Sequence, residues 1–244
     1  MKRVLQVAFL VVAAATSSFG AQCVADNLTA YTIGGFVCEI PTAYGTVQFG
    51  NFKQILNGIN GIGAGEVVPT NQITVNPLGA GSNLFGFAFG ASFPRATNPN
   101  TFSVTGTEQY ILSLSYTALV LNGPGVLFTQ AFVNATAQSN GPQVGSASLT
   151  KDIFYGTNPA PDFFGPVSAS ANVNDVQVFS APAVYNPPQV AFAARDLLTI
   201  QSNNAGASVS QFGNLYSQVP EPATYAMIGA GLLGLACARR RRQA

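Results

Sequence analysis

The chain is 244 residues long, 48% hydrophobic and only 8% charged, with no histidine and no tryptophan, which leaves room for one domain between two signal-like ends. Its formal net charge of +1 is misleading, because residues 21–217 hold only Lys53, Arg95, Lys151 and Arg195 against eight acids, a net charge of −4. Such a body lacks the positive footprint of a nucleic-acid binder, and without histidine the chain excludes Ser–His–Asp and Cys–His catalysis and histidine-ligated zinc.

Lys2 and Arg3, an apolar stretch over 4–15 and small residues through Gly20 have the layout of a secretory signal peptide. Ser18 and Gly20 suit the −3 and −1 positions of a cleavage site, so residues 1–20 are expected to be removed after passage through the Sec translocon, leaving Ala21 at the start of the mature chain. Gln22 occupies the place where a lipobox needs a small residue, so Cys23 does not read as a lipid anchor. Cys23 and Cys38 are the only cysteines of the body, fifteen positions apart. In an oxidising compartment that spacing favours a disulfide worth about 3 kcal/mol. The alternatives are two free thiols or a metal site, and the latter has no histidine to complete a ligand set.

The body then reads as strands, expected over 46–55, 72–75, 85–93, 108–121, 126–137, 144–153, 172–179, 190–200 and 207–212. Phe85, Phe87, Phe89, Ala91 and Phe93 alternate with small residues, which puts the aromatics on one face. In 108–121, Tyr110, Leu112, Leu114, Tyr116, Ala118 and Val120 share one face, while Ser113, Ser115 and Thr117 form a wet face. Asn122, Gly123, Pro124 and Gly125 turn the chain into 126–137, expected to be its hairpin partner. The run GINGIGAGE from Gly58 is a turn between strands and not a phosphate cradle, since no lysine followed by Ser or Thr comes after it. NPAPD at 158–162 and YNPP at 185–188 read as loops. Eight or nine short strands without an amphipathic helix before residue 222 predict an all-β fold, an antiparallel β-sandwich or jelly roll. The 25 glycines and 15 prolines raise the alternative of disorder, but regularly spaced aromatic and branched residues argue against it.

The tail runs Pro220, Glu221, Pro222, then sixteen uncharged residues over 223–238, then Arg239, Arg240, Arg241 and Arg242. Proline suits the first turn of a helix, and sixteen helical residues reach roughly 24 Å against the ~30 Å hydrocarbon core, so a short transmembrane helix with arginine flanks is expected. Positive charge stays on the cytoplasmic side, which places the body outside. Gly229, Gly231 and Gly234 match GxGxxG only formally, because no strand precedes them and only ten residues follow.

This order of Pro-Glu-Pro triplet, short apolar helix and arginine cluster resembles the PEP-CTERM sorting signal of Gram-negative bacteria. The resemblance implies recognition by an exosortase in the inner membrane and processing near the triplet, with the mature form secreted or held at the cell surface. Cys23, Leu28, Tyr31, Gly35, Cys38, Phe49, Asn51 and Phe52 resemble an opening found in such proteins, and Arg195 with Asp196 resembles their closing segment. The chain thus divides into a signal peptide at 1–20, a β-sandwich body at 21–217 and a sorting segment at 218–244.

Within the body, Asp152, Asp162 and Asp175 are the carboxylates that glycoside cleavage would need, but nothing in their spacing brings two together. Asn172, Asn174 and Asp175 are oxygen-rich yet lack the spacing and glycine of an EF-hand. Tyr44, Tyr155, Tyr185 and Tyr216 are candidates for stacking on sugar rings, although a tyrosine in a β-protein more often packs half-buried. No catalytic, cofactor or metal site is therefore expected, and the body reads as a non-enzymatic structural or adhesive component associated with exopolysaccharide or biofilm matrix. The alternative is a secreted β-sandwich carbohydrate-binding module or glycan-active enzyme.

Overall fold

The structure, a computed structural model, describes residues 21–94, 100–122, 126–137, 145–155, 163–172, 177–179, 183–202 and 206–220, together with Ala230. The period-2 alternation of apolar residues resolves into strands in chain order. The first half holds β1 (Asp26–Asn27), the single helical turn α1 (Leu28–Tyr31), β2 (Val37–Thr42), β3 (Gly45–Asn60), β4 (Ile73–Leu78), β5 (Leu84–Ala91), β6 (Phe102–Val104) and β7 (Gln109–Asn122). The second half adds β8 (Val126–Ala137), β9 (Gly145–Tyr155), β10 (Phe163–Asn172), β11 (Gln177–Phe179), β12 (Ala183–Gln189), β13 (Ala191–Ser202) and β14 (Ala207–Pro220).

These strands form two antiparallel sheets. One runs β10-β9-β13-β7-β3-β2; the other runs β1-β4-β5-β14-β8-β11, with β12 also on β8 and β6 also on β14. The sheets meet through aromatic side chains. Phe49 of β3 packs edge-on against Phe87 of β5 with ring centroids 4.8 Å apart, and Phe128 of β8 against Phe192 of β13 at 4.7 Å. Phe85, Phe87 and Phe89 are fully buried, as their alternation requires. Offset and edge-to-face pairs add about 0.5–1.5 kcal/mol each beyond the area they bury, so the core is held by ring geometry as well as by burial. The all-β, two-sheet expectation holds.

At finer detail the structure corrects the sequence reading. β8 is not the hairpin partner of β7: β7 has β3 on one edge and β13 on the other, while β8 pairs with β14 in the second sheet. Ser113 is buried where a wet face was expected, because the Arg195 Nε donates to its hydroxyl at 3.3 Å across the sheet. Residues 185–188, expected as a loop, lie in β12, and the expected strand 172–179 is divided between the end of β10 and β11. The glycine-rich run begins inside β3, which continues to Asn60 before the turn. Strands β1, β2 and β6 were not foreseen at all. Asn51 interrupts β3 with a positive φ of 54°, a conformation asparagine tolerates, and the register with β7 shifts between Gly50 and Lys53.

Among the described residues no helix is long and apolar enough to cross a membrane. The expected signal peptide at 1–20, the loop at 158–162 and the membrane helix over 223–238, Ala230 apart, lie outside the described residues.

Candidate functional site

The candidate residues fall into three places. At the N-terminal edge, Cys23 and Cys38 form a disulfide. The segment it ties down pairs with β2: the Cys23 N–H donates to Glu39 O and the Glu39 N–H to Ala21 O, both at 2.9 Å. Asn27 caps α1 by accepting from the Ala30 N–H at 3.1 Å, which satisfies one of the donors that a helix start leaves unpaired. The Tyr31 hydroxyl then donates to Val24 O at 2.6 Å.

At the C-terminal edge, Pro220 is the last residue of β14, opposite Val126 of β8. The first residue of the triplet is therefore the last residue of an interior strand of the second sheet. Glu221, Pro222 and Arg239 to Arg242 lie outside the described residues.

The body's candidate ligands are not brought together. Asp152 is half-buried on β9, Asn172 ends β10, and Asp162, Asn174 and Asp175 lie outside the described residues. Among the described residues no three His, Cys, Asp or Glu side chains group as a metal site would require. Tyr216 is fully buried, which removes it as a platform for sugar rings. It shares its inward-facing phase on β14 with Phe212, Asn214 and Gln218, all buried. Tyr44 is half-buried, and the side chains of Tyr155 and Tyr185 are outside those described.

Among the described residues, a dense polar cluster lies between the sheets. Lys151 on β9 follows Ala147 and Leu149 in the inward phase, and Asp196 on β13 follows Phe192 and Ala194. The register places Lys151 and Asp196 directly opposite each other. Their side chains are 0% and 1% exposed and pair with Nζ 2.7 Å from Oδ1. Lys151 Nζ also donates to the Tyr116 hydroxyl of β7 at 2.9 Å and to the Tyr216 hydroxyl of β14 at 2.8 Å. The two hydroxyls are themselves 2.5 Å apart. From the opposite sheet, Asn214 Nδ2 donates to Asp196 Oδ2 at 2.5 Å. Asn214 Oδ1, equally buried, accepts no hydrogen bond among the described residues. The aromatic shell is close: Tyr216 lies 4.6 Å from Phe192 and Tyr116 5.2 Å from Phe52, centroid to centroid.

Burial dominates the electrostatics. Removal from water pushes the Lys151 amine below its ordinary pKa, and the Asp196 charge opposes this only in part. Burial likewise pushes the Asp196 carboxyl above its ordinary range, against the pull of Lys151, Asn214 and Tyr116. Both shifts lower the cost of moving one proton from the amine to the carboxyl.

The sequence reading missed this cluster. Lys151 entered it as one of four scattered cations and Asp196 as the neighbour of Arg195. The period-2 phase held the signal, since Lys151 falls in step with Ala147, Leu149 and Ile153, and Asp196 with Phe192, Ala194, Leu198 and Ile200. Two opposite charges in the apolar phases of two strands point to a buried pair. Arg195, in the other phase, is exposed.

A family model described as the PEP-CTERM protein-sorting motif matches residues 218–242. The chain thus carries a PEP-CTERM sorting motif, which implies processing by an exosortase and export to the cell surface or beyond. No curated protein matches the chain. Among solved structures, the enzymatically active domain of tailspike protein 4 of bacteriophage CBA120 aligns at 8% identity with a TM-score of 0.29. The alignment covers 71% of this chain and 19% of that one, and at that TM-score it bears on neither fold nor function.

Proposed function

We propose that the exported body is a structural or adhesive component of the extracellular matrix, associated with exopolysaccharide and not an enzyme. The sorting motif at 218–242 carries this reading, because it delivers a two-sheet β body to the outside of the cell. The described residues support it: their polar cluster at Lys151 and Asp196 is sealed between the sheets, where no soluble substrate reaches it. Exosortase and, during export, the Sec translocon and the inner membrane are the partners this route requires.

The test is a glycan array probed with the exported protein, alongside its partition between washed matrix and medium. A structural component stays with the matrix and shows no saturable preference for one glycan. Saturable binding to a single glycan, with release of the protein by that free sugar, replaces this reading with that of a carbohydrate-binding module.

A further inference from the structure

One carboxyl group touches both an amine and a primary amide inside the core. Asp196 Oδ1 faces Lys151 Nζ at 2.7 Å and Asp196 Oδ2 faces Asn214 Nδ2 at 2.5 Å. All three side chains are at most 1% exposed. We infer that Lys151 and Asn214 become joined by an intramolecular amide bond between the two sheets, with Asp196 relaying the protons.

The chemistry balances without any other reactant. The neutral Lys151 amine attacks Cγ of Asn214 and a new C–N bond forms. Asp196 Oδ1 accepts a proton from Nζ while the proton carried on Oδ2 passes to Nδ2. The bond from Cγ to Nδ2 then breaks and ammonia leaves. Asp196 ends as it began, a neutral acid, so it acts as a true catalyst.

Asp196 brings the amine and the amide to one carboxyl group, and the cluster supplies further features that the sequence requires. A nucleophilic amine must be unprotonated, and burial drives Lys151 that way. A proton relay must be able to take up and hand on a proton, and burial raises the affinity of Asp196 for one. The Tyr116 and Tyr216 hydroxyls fix Nζ from two sides, which limits it to one approach and replaces the water that the site excludes. Asn214 Oδ1 has no partner among the described residues, so its carbonyl is held in the core at a cost that the reaction is placed to change.

Asn214 is the electrophile in preference to Asp196 itself. Attack of the amine on Asp196 would consume the one carboxyl in the cluster and leave nothing to carry the protons. A Lys151–Asn214 amide also joins β9 of one sheet to β14 of the other, so it fixes the sandwich across its core, where the disulfide holds only an edge.

The experiment is peptide mapping of the full chain, purified as produced, then reduced, denatured and digested with trypsin. Lys151 is the only lysine or arginine between Arg95 and Arg195, and none follows Asp196 before Arg239. The amide predicts no cleavage after Lys151 and a species joining peptide 96–195 to the peptide that begins at Asp196. That species is about 17 Da lighter than the sum of its parts, the mass of the ammonia lost, with fragmentation placing the link on Asn214. Asp196→Asn, which keeps the shape but cannot relay protons, and Asn214→Ala both restore cleavage after Lys151. Complete cleavage after Lys151 in the unaltered chain overturns the inference. So does a link placed on Asp196 with loss of water, about 18 Da, or a link that persists in Asp196→Asn.

Discussion

Lys151 and Asp196 stand directly opposite each other on neighbouring antiparallel strands and pair at 2.7 Å with neither side chain open to water. A pair in that position is a stability hazard when only half of it remains. Replacing Asp196 by Leu leaves the Lys151 nitrogen buried without the carboxyl it pairs with, and breaking a buried pair in this way costs about 3–5 kcal/mol. Urea denaturation of Asp196→Leu is therefore expected to show a loss of that size. The double variant Lys151→Met with Asp196→Leu recovers part of it, because the orphaned polar group is gone. Equal losses in the single and double variants would show that the pair is not what the core depends on.

Tyr31 gives the fold an alkaline limit. Its hydroxyl donates to Val24 O at 2.6 Å. Burial, with a smaller contribution from the negative charge of Asp26, raises its pKa from 10.0 to about 12. The unfolded chain therefore loses this proton at a lower pH than the folded one. The stabilisation is fully present below pH 10 and is lost as pH rises from there towards about 12. Denaturation midpoints followed across that window should fall in the unaltered chain and fall less steeply in Tyr31→Phe. Identical slopes in the two would remove Tyr31 as the cause.

The Cys23–Cys38 bridge closes a loop of sequence separation 15, for which the chain-entropy model gives about 3 kcal/mol. A Cys23→Ser, Cys38→Ser variant is expected to unfold at lower urea concentration by that amount. Reductant should then shift the unaltered chain but not the variant, and the oxidised chain should weigh about 2 Da less than the reduced one. A reductant-insensitive unaltered chain would contradict the assignment.

Much of this architecture was legible in the sequence wherever two faces of a strand differ in chemistry. The run from Tyr110 to Val120 announced its inner face because aromatic and branched residues alternate with Ser and Thr, and Tyr110, Leu112, Leu114, Tyr116 and Ala118 are all buried. Alternation tells which way a side chain points and is silent on which strand lies alongside. The bounds of β8 were therefore read correctly as 126–137 while its neighbour was misassigned to β7. The strand carrying Pro187 and Pro188 was hidden because proline removes ladder donors; β12 tolerates them by pairing with β8 alone. The buried cluster was hidden for a different reason. Lys151 was weighed only in the net charge of the body and Asp196 only beside Arg195, although the phase of each put both inside. At the tail the reverse held, since the spacing of Pro220, Glu221, Pro222 and the arginines is a linear signal that needs no fold to be read, and residues 218–242 match the sorting motif.

That tail, with its sorting motif at 218–242, is the address of the whole protein. The direct measurement is cell fractionation of a host with exosortase producing either the unaltered chain or one with Pro220, Glu221 and Pro222 all replaced by alanine. The account predicts that the unaltered protein reaches the cell surface or medium as a shortened form, while the variant remains in the inner membrane at precursor length. Equal release and equal processing of both forms would contradict it.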